Sequence, residues 1–388
     1  MDNRRIVFIS NQVYPLDNSG GGSVVIYRHL KRFKDAGHKI LIVNTLTNSQ
    51  KKTEFSEINL KKKGWYPPLR RKTPKMTDLR VFLDYIRLKH QINLKKDDIL
   101  ISVLGEYLNL VALRLAKEGN LPLFSFYHDD VLFNKYASEG VLANYHIDKI
   151  IKSTYCFFAV SEQMVELLKK NGAKKVYHLY PIPNNPGDLI TKVIWKDSFS
   201  KKINLAFSGL LFSDFHTDIL VEIAYSLEIV NSELNLFSVN LNSELATILT
   251  SRFKNVLLNN AEETIYNLFE KFIQCSSALI VFYSFKKDKE VRMFTSFPSK
   301  LLEYMSVGLP IIIIAPLEST LGIWASKNRW PLYVSVEDRN VIAAKLDELK
   351  NREFWETCRN KCLETAESIF NPDSIHKNLC QYIGLKNS

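Results

Sequence analysis

Short apolar runs rich in β-branched and aromatic residues alternate with helical patterns along the chain, and this alternation constrains the fold more than any other feature. Two parallel strands need a crossover connection, usually a helix, so the pattern predicts an α/β protein with parallel sheets. The predicted strands are residues 6–10, 40–45, 99–103, 123–127, 156–160, 176–179, 204–208, 234–239, 256–258, 278–283, 311–314 and 332–336.

The chain has 388 residues, more than one hydrophobic core usually supports, which predicts two domains. Residues 180–188 contain three prolines and several turn-forming residues and predict a linker, with the boundary near residues 183–200. The predicted domains are residues 1–190 and residues 200–370. Each contains one set of alternating strands and helices.

The segment 297–314 is the most informative motif. Pro298 suits the first position of a helix, where its missing N–H costs nothing, and Gly308 suits the end of that helix. Four consecutive isoleucines, residues 311–314, then predict a buried strand.

This predicted helix begins with a site suited to an anion. The amides of Ser299 and Lys300 are expected at the positive end of the helix dipole, where a phosphate binds well. Glu303 lies four residues beyond Ser299 on the same helix face, so its carboxylate can accept hydrogen bonds from sugar hydroxyls next to that phosphate.

Segment 297–314 resembles the nucleotide-sugar site of the retaining glycosyltransferases of family four, which have the GT-B fold. The resemblance implies two Rossmann-like domains whose parallel sheets face an interdomain cleft. It also implies that Glu303 binds the nucleotide ribose and that the amides at the helix start bind the donor diphosphate. A final helix, residues 371–388, would pack back on the first domain.

Two features of the first half fit the same resemblance. Gly21 and Gly22 follow the first strand and resemble the family's first-domain glycine loop; their spacing from the strand excludes the dinucleotide-binding fingerprint. His128 follows the strand at 123–127 and resembles the family residue that contacts the donor sugar. The alternatives are a flexible turn for the glycines and a packed, structural role for His128.

Asp129 and Asp130 follow His128 and are interpreted as helix caps or as a metal-binding pair. The metal-binding interpretation is the weaker one, because no third ligand is near in sequence. Ser161 is predicted only to cap a helix.

The second half matches the family at Gly209 but departs from it twice. Family members commonly carry an Arg and a Lys shortly after this glycine, which the present sequence lacks, and Thr295 stands where they have a first Glu. We therefore expect Lys300, together with one cation between Lys286 and Arg292, to supply the missing positive charge. Most of that basic cluster is otherwise an ordinary surface loop.

The predicted catalytic residue is thus His128, and no metal ion or cofactor is expected. The predicted substrate-binding residues are Gly21, Gly22, Gly209, Lys286, Ser299, Lys300, Leu301 and Glu303.

The net charge is +11, and residues 47–76 contain nine basic and two acidic residues around Trp65 and Tyr66. Basic residues beside amphipathic aromatic ones suit an anionic membrane surface or a nucleic-acid backbone, and a solvated basic loop is the third interpretation. We expect the membrane surface, through residues 51–75, and consider nucleic acid unsuited as a partner.

No signal peptide, membrane span or disulfide framework is evident, which predicts a cytoplasmic protein, peripheral on the inner face of the membrane.

The function that these features predict is a hexosyltransferase-type enzyme. It would move a sugar, with retention, from a nucleoside diphosphate sugar to the hydroxyl of a glycan or lipid-linked acceptor in cell-envelope polysaccharide or glycolipid synthesis. The alternatives are a non-catalytic GT-B-like protein that binds sugar nucleotides or glycans, and a glucosyltransferase that modifies nucleic acid.

Overall fold

The computed structural model describes residues 3–10, 13–16, 21–45, 53–60, 74–105, 107–128, 144–185, 187–211, 213–238, 240–241, 243–286 and 291–385. The chain forms two compact units: residues 1–182 with 373–388, and residues 183–372. Each unit has its own parallel sheet with helices between successive strands.

The first unit contains a sheet of seven described strands in the order β3-β2-β1-β4-β5-β6-β7. Its strands are β1 (Arg5–Ile9), β2 (Lys39–Asn44), β3 (Ser56–Asn59), β4 (Ile99–Val103), β5 (Leu123–Tyr127), β6 (Cys156–Ala159) and β7 (Val176–His178). Its helices are α1 (Gly22–Asp35), α2 (Pro74–Ile92), α3 (Tyr107–Gly119), α4 (Asn144–Ser153), α5 (Glu162–Lys170) and, from the end of the chain, α13 (Pro372–Tyr382).

The second unit contains a sheet of six described strands in the order β10-β9-β8-β11-β12-β13. Its strands are β8 (Asn204–Ser208), β9 (Glu233–Ser238), β10 (Val256–Asn260), β11 (Ala278–Phe282), β12 (Ile311–Ile314) and β13 (Tyr333–Val334). Its helices are α6 (Ser213–Ile229), α7 (Glu244–Arg252), α8 (Ile265–Cys275), α9 (Ser299–Val307), α10 (Thr320–Lys327), α11 (Arg339–Glu348) and α12 (Arg352–Ser368).

Both sheets have the same topology. Counted along the chain within each unit, the first six strands lie in the order 3-2-1-4-5-6, which is the doubly wound Rossmann arrangement. The order reverses between β1 and β4 in the first unit and between β8 and β11 in the second. Ligands of open parallel sheets bind beyond the carboxyl ends of the strands at such reversals.

The predicted fold class is confirmed, and each of the twelve predicted strands corresponds to an observed one. Sequence analysis missed β3, because this strand is polar, short and at the edge of its sheet. It places Ser161 correctly as the N-cap of α5, where its hydroxyl accepts a hydrogen bond from Met164 N at 3.0 Å. Gly308 ends α9 in the left-handed conformation, with φ of 83°. All five cysteines are free.

The C-terminal helix α13 belongs to the core of the first unit. Ile375, Leu379 and Ile383 are buried in the same apolar cluster as Ile6 and Phe8 of β1. Among the described helices, none combines the length and apolarity needed to cross a bilayer.

A buried pair of histidines joins α13 to α1. The Nδ1 atoms of His29 and His376 are 3.0 Å apart, and the two rings stack with their centroids 5.3 Å apart. One Nδ1 must donate and the other accept, so the contact needs at least one neutral ring. Burial lowers the pKa of His376 to about 4, with Arg32 adding to the effect. Burial also lowers the pKa of His29, helped by the charges of His376 and His128.

This pair makes the first unit sensitive to acid. The unfolded chain takes up a proton at His376 as the pH falls through 6.5, whereas the folded protein resists protonation until about pH 4. The stability contributed by the neutral ring is complete above pH 6.5 and is lost as the pH falls towards 4, by about 3 kcal/mol for His376 alone. His29 acts in the same direction.

We predict that His376→Asn, which keeps a hydrogen-bonding group near the position of Nδ1 but does not titrate, loses less stability than the wild type between pH 7 and pH 4.5. Urea unfolding followed by far-UV circular dichroism measures this. The control is His90→Asn at the exposed end of α2, which should keep the wild-type pH dependence. An unchanged acid loss in His376→Asn would show that the pair is not its source.

Candidate functional site

The site of the second unit begins where β8 ends, at the reversal of strand order. β8 pairs with β9 on one side and β11 on the other, and Gly209 follows it directly. Gly209 has φ of 146°, a conformation that residues with a Cβ rarely adopt, and its amide donates to the Phe237 carbonyl at 2.9 Å. The chain therefore turns sharply at the carboxyl edge of the sheet.

Helix α9 begins one residue later than predicted. Pro298 is its N-cap, with ψ of 111°, and Ser299 is the first helical residue. The extended ψ keeps Pro298 outside the helix. The Leu301 amide donates to the Pro298 carbonyl at 3.0 Å, so this amide is already bonded within the protein. The amides at the first two helical positions, Ser299 and Lys300, point out of the end of the helix.

The structure brings Lys300 and Gly209 together. A Cβ on Gly209 would collide with the ammonium of Lys300 and would lie 2.7 Å from its Cε. The same ammonium lies 4.1 Å from the centroid of the Phe207 ring, a cation–π contact between α9 and β8. The side chain of Lys300 therefore passes over the backbone at Gly209, and a Cβ at this position would force the flexible end of Lys300 to move.

Tyr304 fastens α9 to the end of β8. Its hydroxyl oxygen accepts a hydrogen bond from the Ser208 amide at 2.7 Å, and its side chain is buried. Burial raises the pKa of this tyrosine, so the phenol stays protonated. Tyr304 is not among the residues predicted from the sequence, because an aromatic residue on a helix beside a sheet has the pattern of ordinary core packing.

Lys300 shares its electrostatic influence on His216 with a second cation, Arg292. Burial lowers the pKa of His216 to about 3, and the charges of Lys300 and Arg292 add to the effect. Both cations therefore act on His216, and His216 itself is neutral at pH 7. Arg292 is exposed and belongs to a short 3-10 helix, Val291–Phe294, that precedes α9.

Lys286, the cation named among the predicted site residues, forms an ion pair with Asp218. This pair offsets part of its charge. Lys287 and Lys289 lie outside the described residues.

Glu303 lies one turn into α9 and is half-buried. Its Oε2 accepts a hydrogen bond from the Asn184 amide at 3.0 Å. A carboxylate has about four acceptor positions, and this bond takes one of them. The bond also restricts the rotamer of Glu303.

Thr295, at the position of the family's first Glu, is buried. Next to it, the carbonyl of Ser296 accepts hydrogen bonds from the hydroxyls of Tyr283 at 2.9 Å and Thr320 at 2.5 Å. These bonds position the chain that leads into α9. Thr295 has a hydroxyl where the family commonly has a carboxylate, so the chemistry of this position differs from that of the family.

In the first unit the structure brings Gly22 and His128 together. A Cβ on Gly22 would lie 3.5 Å from Cδ2 of His128. The His128 ring stacks on Phe126, with centroids 5.3 Å apart and planes at 5°. Gly21, with φ of 57°, precedes α1. Gly20, Asp129 and Asp130 lie outside the described residues, and the described ones contain no group of three metal-ligating side chains.

The sequence model of Glycosyltransferase Family 4 matches residues 19–183, whereas no curated protein matches the sequence.

Among solved structures, a glycosyltransferase from Rickettsia africae ESF-5 has a TM-score of 0.70 at 14% identity, covering 100% of both chains. HepE from Anabaena, solved with UDP and glucose, has a TM-score of 0.65 at 11% identity, covering 98% of this chain and 100% of its own. WaaG, a glycosyltransferase involved in lipopolysaccharide biosynthesis, has a TM-score of 0.62 at 13% identity, covering 97% of this chain and 99% of its own.

The likeness extends over nearly the whole chain, although the sequences have diverged widely. The fold is therefore that of the GT-B glycosyltransferases, and residues 19–183 confirm the resemblance to glycosyltransferase family four that the sequence indicates.

Proposed function

We propose that this chain is a retaining glycosyltransferase that moves a hexose from a nucleoside diphosphate sugar to an acceptor hydroxyl without a bound metal ion. The observation that carries this proposal is the convergence of three features at one point of the second unit. The first turn of α9, the ammonium of Lys300 and the backbone of Gly209 all meet at the carboxyl end of β8.

In this proposal the donor diphosphate binds at the start of α9. The amides of Ser299 and Lys300 donate to its oxygens, and Gly209 lets the diphosphate approach the backbone closely. When the glycosidic bond breaks, negative charge develops on the leaving diphosphate. Preorganised amides and nearby cations stabilise that charge, and Lys300 and Arg292 replace the Arg and Lys that the family commonly carries.

The remaining roles follow from the resemblance. Glu303 binds the nucleotide ribose with the acceptor capacity that its bond to Asn184 leaves. His128 contacts the transferred sugar. Gly21 and Gly22 let the substrate come close to the backbone of the first unit.

The neighbouring structures support the choice of substrates. HepE was solved with UDP and glucose, which supports a nucleoside diphosphate hexose as donor. WaaG acts in lipopolysaccharide biosynthesis, which supports a glycan or lipid-linked acceptor in cell-envelope or glycolipid synthesis at the inner face of the membrane. The basic segment predicted to contact that membrane, residues 51–75, lies mostly outside the described residues.

One observation favours a second candidate, a non-catalytic protein that binds sugar nucleotides. Thr295 stands where the family commonly carries its first Glu, so this position lacks a carboxylate. Slow hydrolysis of the donor separates the two candidates, because a transferase transfers its sugar to water at a low rate and a binding protein does not.

A thermal-shift panel of nucleoside diphosphates and their sugars tests the proposal. A ligand at about 100 times its dissociation constant adds about 2.7 kcal/mol to the stability of the folded state. We expect one nucleotide series to stabilise the protein, with the matching sugar donor consumed when an acceptor is supplied. No stabilisation by any member of the panel would contradict both candidates.

We predict that Lys300→Met weakens binding of the stabilising nucleoside diphosphate by about 10- to 100-fold, since a charge-assisted hydrogen bond is worth about 1.5–3 kcal/mol. Arg292→Met should have a smaller effect in the same direction, and Lys286→Met, whose charge Asp218 offsets, should have little effect. Isothermal titration calorimetry measures all three. Equal losses in all three variants would mean that the general charge of the loop matters and its geometry does not.

We predict that Gly209→Ala weakens nucleotide binding about as much as Lys300→Met, because the new Cβ displaces the ammonium. The double variant should then bind no more weakly than either single variant. Gly187→Ala is the matched control, since Gly187 also has a positive φ, of 62°, but has nothing within 4 Å of its Cβ position. Additive losses of binding free energy in the double variant would show that Gly209 and Lys300 act independently, and would contradict this prediction.

We predict that Glu303→Ala removes the preference for a ribonucleotide. The wild type should bind the nucleoside diphosphate about 10-fold or more tightly than its 2′,3′-dideoxy analogue, because two hydroxyls bond the carboxylate. The variant should bind both equally. A preference for ribose that survives in Glu303→Ala would assign ribose recognition to another residue.

A further inference from the structure

The first unit has a large cavity at the amino ends of its strands, whereas His128 lies at the carboxyl ends. The cavity, of about 1430 Å³, lies where β5 and β6 begin, and its walls come from α2, α3 and α4. His128, in contrast, follows the carboxyl end of β5. Within the first unit, the cavity is therefore separate from His128, the residue assigned to the sugar.

The walls of this cavity are basic. Its cations are Arg114, Lys117, Lys149, Lys174 and Lys175, and its acids are Asp78 and Glu118. Both acids bond elsewhere: Glu118 pairs with Lys89, and Asp78 Oδ1 lies 3.2 Å from Nε2 of His146. Lys117, Lys149 and Lys174 are exposed and have no ion-pair partner within the described part of the chain. The cavity thus presents positive charge that its described surroundings do not neutralise.

The floor of the cavity is apolar and contains one unsatisfied polar group. Val81, Leu110 and Leu123 are buried at its base. Thr154, only 1% exposed, also lines it, and its hydroxyl has no hydrogen-bond partner among the described residues. Tyr155, half exposed beside it, lies 5.3 Å from the ammonium of Lys175. Such a site suits a ligand with an anionic group and an apolar part.

An apolar ridge on α2 adjoins the cavity. Its members share the solvent-facing side of the helix at spacings of three and four residues: Leu79 (59% exposed), Phe82 (38%), Leu83 (57%) and Ile86 (40%). Four large apolar side chains on one solvent-facing stripe need a partner, because a soluble surface rarely exposes them together.

Arg114 connects the ridge to the cavity. This cavity residue places its guanidinium 4.7 Å from the ring centroid of Phe82 on the ridge and 4.6 Å from that of Tyr85. Arg80 and Arg87 lie on the same helix, on the opposite flank of the ridge, where the Asp84 carboxylate, 3.9 Å from each, offsets one of their two charges. The ridge is thus an apolar stripe between cations, the arrangement that lies flat in the interface of an anionic bilayer.

We propose that this face of the first unit docks on an anionic lipid bilayer, with the ridge of α2 inserted in the interface and the cavity holding the phosphate of a lipid headgroup. The lysines supply the charge that a phosphodiester needs, and the apolar floor accommodates the adjoining glycerol and upper acyl carbons. A small soluble phosphate would satisfy the lysines but would leave the ridge exposed. The proposal does not depend on transferase activity.

Flotation of the full chain with vesicles tests the proposal. Vesicles of phosphatidylcholine alone are compared with vesicles of equal parts phosphatidylcholine and phosphatidylglycerol. The wild type should bind the anionic vesicles and should not bind the neutral ones. Lys117→Gln/Lys149→Gln/Lys174→Gln should lower the partition onto anionic vesicles by about 100-fold. Leu79→Ser/Leu83→Ser should lower it by about 10-fold or more.

Three controls make each outcome decisive. Lys254→Gln/Lys271→Gln/Lys377→Gln removes three exposed lysines outside the cavity, and an equal loss in this variant would overturn the proposal. Lys61→Gln/Lys62→Gln/Lys63→Gln tests the basic segment before α2; abolished binding here, with binding retained in the cavity variant, would also overturn it. Thermal stabilisation by glycerol 3-phosphate through the cavity lysines, without vesicle binding, would assign the cavity to a soluble phosphate and overturn the lipid. Circular dichroism confirms that each variant is folded.

Discussion

The hydrogen bond from the Ser208 amide to the Tyr304 hydroxyl is the contact on which the candidate site depends. It ties α9 to the last residue of β8, so the start of the helix and the turn at Gly209 meet at one edge of the sheet. Tyr304 is buried and its pKa is raised, so the phenol is a stable, neutral partner inside the unit. Because this bond fixes where α9 lies against β8, it also places Lys300 beside Gly209.

The two units repeat one topology but use it differently. In the second unit, the reversal of strand order carries a helix start, a lysine and a glycine turn, which together suit a diphosphate. In the first unit, Gly22 and His128 meet near the carboxyl ends of the strands, and the opposite edge carries a basic cavity. The same strand order can thus support separate binding surfaces. It determines where the ends of the strands lie, and the loops and helices at those ends supply the chemistry.

The sequence predicts the layout well, because β-branched strands and amphipathic helices have strong periodic patterns. It misses β3, whose polar residues lack such a pattern. Ser161 and Gly308 are predicted correctly, since each follows from local backbone chemistry. Side-chain partners depend on contacts between distant parts of the chain. The ion pair of Lys286, the bonded amide of Leu301 and the crossing of Lys300 over Gly209 therefore emerge only from the structure.

A crystal structure of the chain with its stabilising nucleoside diphosphate is the most direct test of the central claim. The account predicts phosphate oxygens at about 3 Å from the amide nitrogens of Ser299 and Lys300, with the ribose hydroxyls at Glu303. A diphosphate bound at any other place, or an α9 whose first turn is covered by protein in that complex, would contradict it.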